Sequence, residues 1–109
     1  MTHPKKRVAA LISGRGSNMA ALIEAAKDRD YPAGIICVIS NRADAPGLAL
    51  AASHGIQTRI IAHKNFPSRE AHDAAIDAAL AAARPDFVCL AGYMRIMTAA
   101  FIEKWQGRM

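Results

Sequence analysis

Val8-Ala9-Ala10-Leu11-Ile12-Ser13-Gly14-Arg15-Gly16-Ser17-Asn18 decides how this chain folds. Its first five residues form an apolar run, and two glycines follow within three positions. Met19, Leu22, Ile23 and Ala26 then recur at i, i+3, i+4 and i+7, which is one face of an α-helix. The segment therefore reads as strand, glycine loop, helix N-terminus. The first N–H groups of a helix lack intrahelical partners and carry the positive end of its dipole. Glycines allow an anion to approach that backbone closely, and Ser17 and Asn18 add polar groups at the same place, so the loop has the outline of a phosphate site. A second reading stands beside it: a tight turn in which Ser17 or Asn18 merely caps the helix.

The details exclude commoner phosphate loops. A dinucleotide fingerprint needs a third glycine where this chain has Met19, and an acid after the second strand, where Ser40-Asn41-Arg42 stands. Arg42 is the one residue there that could face a 2′-phosphate, and it does not replace the missing glycine. No Gly-Lys-Ser/Thr ending marks a P-loop. What remains suits a single phosphate, as on a ribose 5-phosphate.

Outward from this loop, strand and helix patterns alternate. Gly34–Ser40 is a β-branched second strand, apolar enough to be covered on both faces. Asp44 reads as an N-cap, Pro46 sits in the first turn, Leu48, Ala51 and Ala52 form an inner face, and Gly55 stops the helix. Thr58–Ile61 is a short third strand. Ser68 caps a longer helix that ends before Pro85, with Ile76, Ala79, Leu80 and Ala83 facing inward. Asp86–Ala91 is a fourth strand. Thr98 caps a last helix carrying Phe101, Ile102 and Trp105. The fold class is α/β: a doubly wound, Rossmann-like parallel sheet in the order 3-2-1-4. Ligands in such sheets bind at the carboxyl ends where the order reverses, between strands 1 and 4. Topology thus brings Ser13–Asn18 and Gly92–Met97 to one crevice.

Composition bounds the function. The 109 residues fit one domain, with 52% hydrophobic and 21% charged residues. Lys5, Lys6 and Arg7 supply three of the net five positive charges and read as a solvated tail. With only 6% aromatics, not interleaved with basic residues, no nucleic-acid surface is expected. Cys37 and Cys89 lie in apolar runs and read as buried thiols of a cytoplasmic protein. No membrane span or signal peptide is expected. No histidine pair has metal-ligand spacing and no Ser/His/Asp constellation is visible, so no metal is expected. Arg69, in the first turn of its helix, meets the wrong end of the dipole and calls for an anionic partner, either a ligand or Asp73 four residues on. Arg95 sits at the crevice, facing a ligand or a surface ion pair. His72 reads as a packed or interface histidine rather than a catalyst, and His54 and His63 as solvated ones.

Four stretches in order carry a resemblance: Leu11–Asn18, Ser40-Asn41-Arg42-Ala43-Asp44-Ala45, Ser68-Arg69-Glu70-Ala71 and Leu90-Ala91-Gly92-Tyr93-Met94-Arg95-Ile96. Together they resemble the phosphoribosylglycinamide (glycinamide ribonucleotide) formyltransferases, over about Arg7 to Met109. The resemblance implies transfer of a formyl group from 10-formyltetrahydrofolate to the amine of glycinamide ribonucleotide, in purine biosynthesis. It implies that Gly16, Ser17 and Asn18 hold the ribonucleotide phosphate. Gly92 and Met94 would lie along the channel shared by ribonucleotide and folate. Met94, Arg95, Ile96 and Met97 would line the folate pocket, and Arg69, with Arg95, would face the folate glutamate. The Ser-Gly-x-Gly-Ser-Asn loop favours the ribonucleotide over tRNA as substrate.

The family's Asn-x-His-Pro-Ser follows a Gly-Arg that matches Gly107-Arg108, and its catalytic Asn, His and later Asp have no counterpart before Met109. The expectation is that residues 1–109 are the N-terminal, ribonucleotide-binding part of the domain, truncated after the fourth strand and following helix and inactive alone. Phe87–Ala91 would then be an exposed edge that invites homo-oligomers. A non-catalytic phosphate- or nucleotide-binding module is the alternative.

Overall fold

The structure is a computed structural model that describes residues 5–94 and 97–109. Four strands form one parallel sheet in the order β3-β2-β1-β4, as the alternating pattern predicts. They are β1 (Lys6–Ile12), β2 (Ala33–Ser40), β3 (Gln57–Ile60) and β4 (Phe87–Leu90), joined through helices α1 (Ser17–Ala25), α2 (Pro46–Ser53) and α3 (Arg69–Ala83). A short helix, α4 (Ala99–Trp105), follows β4.

Alternation along the strands sorts the core into two layers. Ala9 and Leu11 of β1, with Cys37 and Ile39 of β2, pack beneath Ile76, Ala79 and Leu80 of α3 and Phe101 and Trp105 of α4. Ala10 and Ile12, with Val38, face Met19 and Ile23 of α1 and Ala51 of α2. Helices α1 and α2 thus cover one face, and α3 and α4 the other. Helix α4 is docked by two acids of α3. The Asp77 carboxylate accepts from Lys104 Nζ at 2.7 Å and from Trp105 Nε1 at 3.0 Å, and Asp73 Oδ2 accepts from Thr98 N–H at 2.6 Å.

Ser68 and Thr98 cap their helices, accepting from Ala71 N–H and Phe101 N–H. Several expectations need correction. Asp44 does not cap α2; the N-cap is Ala45 with no side-chain bond, because Arg42 takes both Asp44 oxygens at 3.0–3.1 Å. Ala52 points to solvent rather than inward. Lys5, Lys6 and Arg7 are not a solvated tail. Lys6 and Arg7 belong to β1, Lys5 Nζ donates to the carbonyls of Ala26, Asp28 and Tyr31 at 2.8–3.1 Å, and Arg7 donates to those of Ala83 and Arg84. These cations close the C-terminal ends of α1 and α3, where the dipole favours positive charge.

The β4 edge is less bare than its sequence predicts. Val88 and Ala91 are buried, and Val88 N–H donates to the Arg108 carbonyl at 2.7 Å. Phe87 and Leu90 do stand out, 44% and 39% exposed.

Candidate functional site

A cleft of about 490 Å³ opens at the carboxyl ends of β1 and β4, the crevice the topology predicts. It is lined by Ser13, Gly14, Arg15, Gly16, Ser17 and Asn18 on one side, by Ala91, Gly92 and Met94 on the other, and by Arg42. The structure therefore brings Gly16, Ser17, Asn18 and Met94 together.

Gly16 is the N-cap of α1, in the left-handed region at φ +65°, and no side chain caps the helix. The reading of Ser17 or Asn18 as a mere cap therefore fails. Ser17 is already the first helical residue, and the first intrahelical bond runs from Ala20 N–H to the Gly16 carbonyl at 2.8 Å. The N–H groups that precede it lack helical carbonyl partners and sit at the positive end of the dipole. A Cβ at Gly16 would lie 3.2 Å from Met19 Cε and 3.3 Å from Ile12 Cγ2, so this turn takes glycine for both conformation and space.

A neighbouring helix braces the loop from below. Gly47, in the first turn of α2, donates its N–H to the Gly14 carbonyl at 3.0 Å. A Cβ there would meet Ile12 Cδ1 at 2.7 Å and the Arg15 carbonyl oxygen at 2.9 Å. Sequence reasoning missed Gly47; its only signal is a glycine placed directly after the helix-starting Pro46.

A buried polar chain joins the exits of the four strands. Met94 N–H donates to Ser13 Oγ at 2.8 Å, Ser13 donates to Asn41 Oδ1 at 2.6 Å, and Asn41 Nδ2 lies 3.3 Å from His63 Nδ1. Ser13 and Asn41 are buried. Neither had an assigned role in the sequence, although both lie in the stretches that carry the resemblance. His63 is half-buried in this chain rather than solvated.

The only charged side chains lining the cleft among the described residues are Arg15 and Arg42. Arg42 and Asp44 form an exposed pair, and the guanidinium holds the Asp44 carboxyl below its ordinary range while its own pKa rises. A second groove of about 480 Å³ lies beyond Arg42, lined also by Asn41, Ala43, Asp44, Ala62, His63 and Lys64. Among the described residues, no group of three or more His, Cys, Asp or Glu could hold a metal ion, and no helix is long and apolar enough to cross a membrane.

Other predicted site residues fall elsewhere. Arg69 is exposed at the start of α3 and does not line the cleft. Asp73 is buried, and its carboxylate serves Thr98 N–H. Met97 packs against the α3–α4 core layer. Arg95 and Ile96 lie outside the described residues. His72 is fully buried with Nε2 2.7 Å from the Ile61 carbonyl, the packed histidine the pattern predicts.

Comparison with known proteins gives a consistent answer. The family profile described as Formyl transferase matches residues 6–109. The trifunctional purine biosynthetic protein adenosine-3 of Drosophila pseudoobscura pseudoobscura is 49% identical over 111 residues, covering all of this chain and 8% of that protein. The phosphoribosylglycinamide formyltransferase of Haemophilus influenzae is 41% identical over 104 residues, 95% of this chain and 49% of that one. The crystal structure of phosphoribosylglycinamide formyltransferase from Brucella melitensis superposes with a TM-score of 0.93 at 50% identity, covering 96% of this chain and 55% of the other. The chain thus spans about half the length of these formyltransferases.

Proposed function

We propose a function from a single premise: this chain belongs to the formyl transferase family. On that premise its cleft binds glycinamide ribonucleotide, the substrate of formyl transfer in purine biosynthesis. The phosphate rests on Gly16, Ser17 and Asn18, and residues 1–109 act as the ribonucleotide-binding part of the enzyme. The observation that carries this reading is the uncapped start of α1, its backbone N–H groups set in a left-handed glycine turn at the floor of the cleft. A phosphate monoester is the ligand such an end accepts through backbone alone.

The formyl donor is 10-formyltetrahydrofolate, bound as a co-substrate along the opposite wall. Met94, 80% exposed beside the cleft, offers an apolar surface for it. The roles of Arg95, Ile96 and Met97 in the folate pocket, and of Arg69 at the folate glutamate, rest on the resemblance. Arg69 is exposed and lies outside the lining of the cleft. The two free thiols, Cys37 and Cys89, fit a reducing compartment such as the cytoplasm.

Among the described residues, the lining of the cleft includes no carboxylate, thiol or imidazole. This supports assigning binding, and not proton transfer, to these residues, and it fits an enzyme part and a module that binds without turnover equally. Calorimetric titration with glycinamide ribonucleotide, against its dephosphorylated nucleoside, tests the binding claim. Affinity that needs the phosphate supports it, and equal affinity for both contradicts it. Mixing the chain with the following segment of a full-length relative separates the two readings, since only an enzyme part regains transfer. Self-association through the edge at Phe87 and Leu90 is part of the proposal; sedimentation as one monomeric species across a wide concentration range contradicts it.

A further inference from the structure

The strand-type bonds between β1 and β4 end where Ala91 N–H meets the Leu11 carbonyl at 3.0 Å. Beyond that point the segments that follow the two strands part to form the walls of the cleft. They are tied again by Met94 N–H to Ser13 Oγ, at 2.8 Å. Donor logic fixes the direction of the whole chain. A backbone N–H can only donate, so the single Ser13 proton goes to Asn41 Oδ1. The Asn41 amide nitrogen then faces His63 Nδ1 as donor. Ser13 and Asn41 are only 6% and 3% exposed, so losing either bond leaves a buried polar group unpaired.

We infer that Ser13 and Asn41 are positioning residues: through Met94 N–H they hold the wall that follows β4 at a set distance from the glycine loop, and so fix the width of the cleft. Neither needs to touch the ligand. A hydrogen-bonded buried pair of this kind has one arrangement, whereas a loop tied only by solvent has many. The role in ligand binding rests on the phosphoester reading above; the coupling between the loops does not.

The design predicts that a ligand spanning both walls depends on the pair, while one needing only the glycine loop does not. Glycinamide ribonucleotide is the first kind of probe and inorganic phosphate the second. The experiment combines amide hydrogen exchange on the labelled chain with titration of both probes, for wild type, Ser13→Ala, Asn41→Ala and the double variant. Ser13→Ala is expected to speed exchange at Met94 about tenfold and to weaken ribonucleotide binding about tenfold, with phosphate binding changed less than about twofold. The double variant is expected to match Ser13→Ala, because the two side chains act as one unit. Protection at Ala10 and Leu11 in the same spectra reports whether each variant keeps its sheet.

Unchanged exchange at Met94 in folded variants overturns the inference. So does an equal loss of phosphate and ribonucleotide affinity, which would make the pair a support of the glycine loop alone. A wild-type chain that binds neither probe while Met94 exchange responds refutes the phosphoester reading and upholds the coupling.

Discussion

The two walls of the cleft are built in opposite ways. The glycine loop takes its shape from short-range features: the left-handed turn at Gly16, the helix start at Ser17, and a floor supplied by Gly47 in contact distance of the loop carbonyls. The wall after β4 is held by longer-range contacts, with Tyr93 packed against the α3–α4 core layer. Gly92 is left-handed, Met94 is exposed, and the tie is a long-range bond to Ser13. One wall is preorganised by backbone; the other is placed by a side chain of its neighbour. A phosphate needs the first kind of site.

This contrast is most severely tested at Gly47. A methyl there collides with the Arg15 carbonyl and Ile12 Cδ1. Overpacking of this kind costs about 1–3 kcal/mol. Gly47→Ala should therefore lower the melting temperature by several degrees and abolish measurable phosphoester binding, read by calorimetry. Normal binding in this variant would break the account of a rigid floor. Gly16→Ala comes next. A residue with Cβ in the left-handed region costs about 1–2 kcal/mol, so phosphoester affinity should fall about tenfold or more.

Met94→Ala sharpens the other side. Its backbone N–H survives the substitution, and its side chain is 80% exposed. Stability should move by less than about 0.5 kcal/mol in thermal unfolding, and inorganic phosphate should bind as before. The smallest effect is expected at Asp44→Asn. Releasing Arg42 should raise phosphoester affinity modestly, more at low salt than at high. Arg42 holds the Asp44 pKa below the ordinary carboxylate range, so the pair is intact wherever the pH exceeds that range and opens only on stronger acidification. The gain from Asp44→Asn should therefore be constant between about pH 7 and 8, where carboxylates are ionised and a phosphate monoester, with a second pKa of about 6, is dianionic.

The same contrast explains what the sequence revealed. The strand order, the crevice and the glycine loop were legible, because they follow from local signals: β-branched runs, Gly14 and Gly16 after a strand, Pro46 and Ser68 at helix starts. The ties that complete the cleft were not. Ser13 meets a residue 28 positions away and another 81 positions away, and no local pattern encodes either partner. Asp44 was misread for a related reason. Its position predicts a cap, but Arg42 two residues earlier offers its carboxylate two charge-assisted bonds instead. Lys5 and Arg7 look like a tail in one dimension, yet the parallel sheet lays them against the carbonyls that end α1 and α3.

The most direct measurement is the map of amide chemical-shift changes when glycinamide ribonucleotide is titrated into the labelled chain. The account predicts the largest changes at Ser17 and Asn18, smaller ones at Gly92 and Met94, and none of comparable size along Ala43, Asp44 and Lys64. Saturable changes centred on that second groove, with Ser17 and Asn18 unmoved, would contradict it.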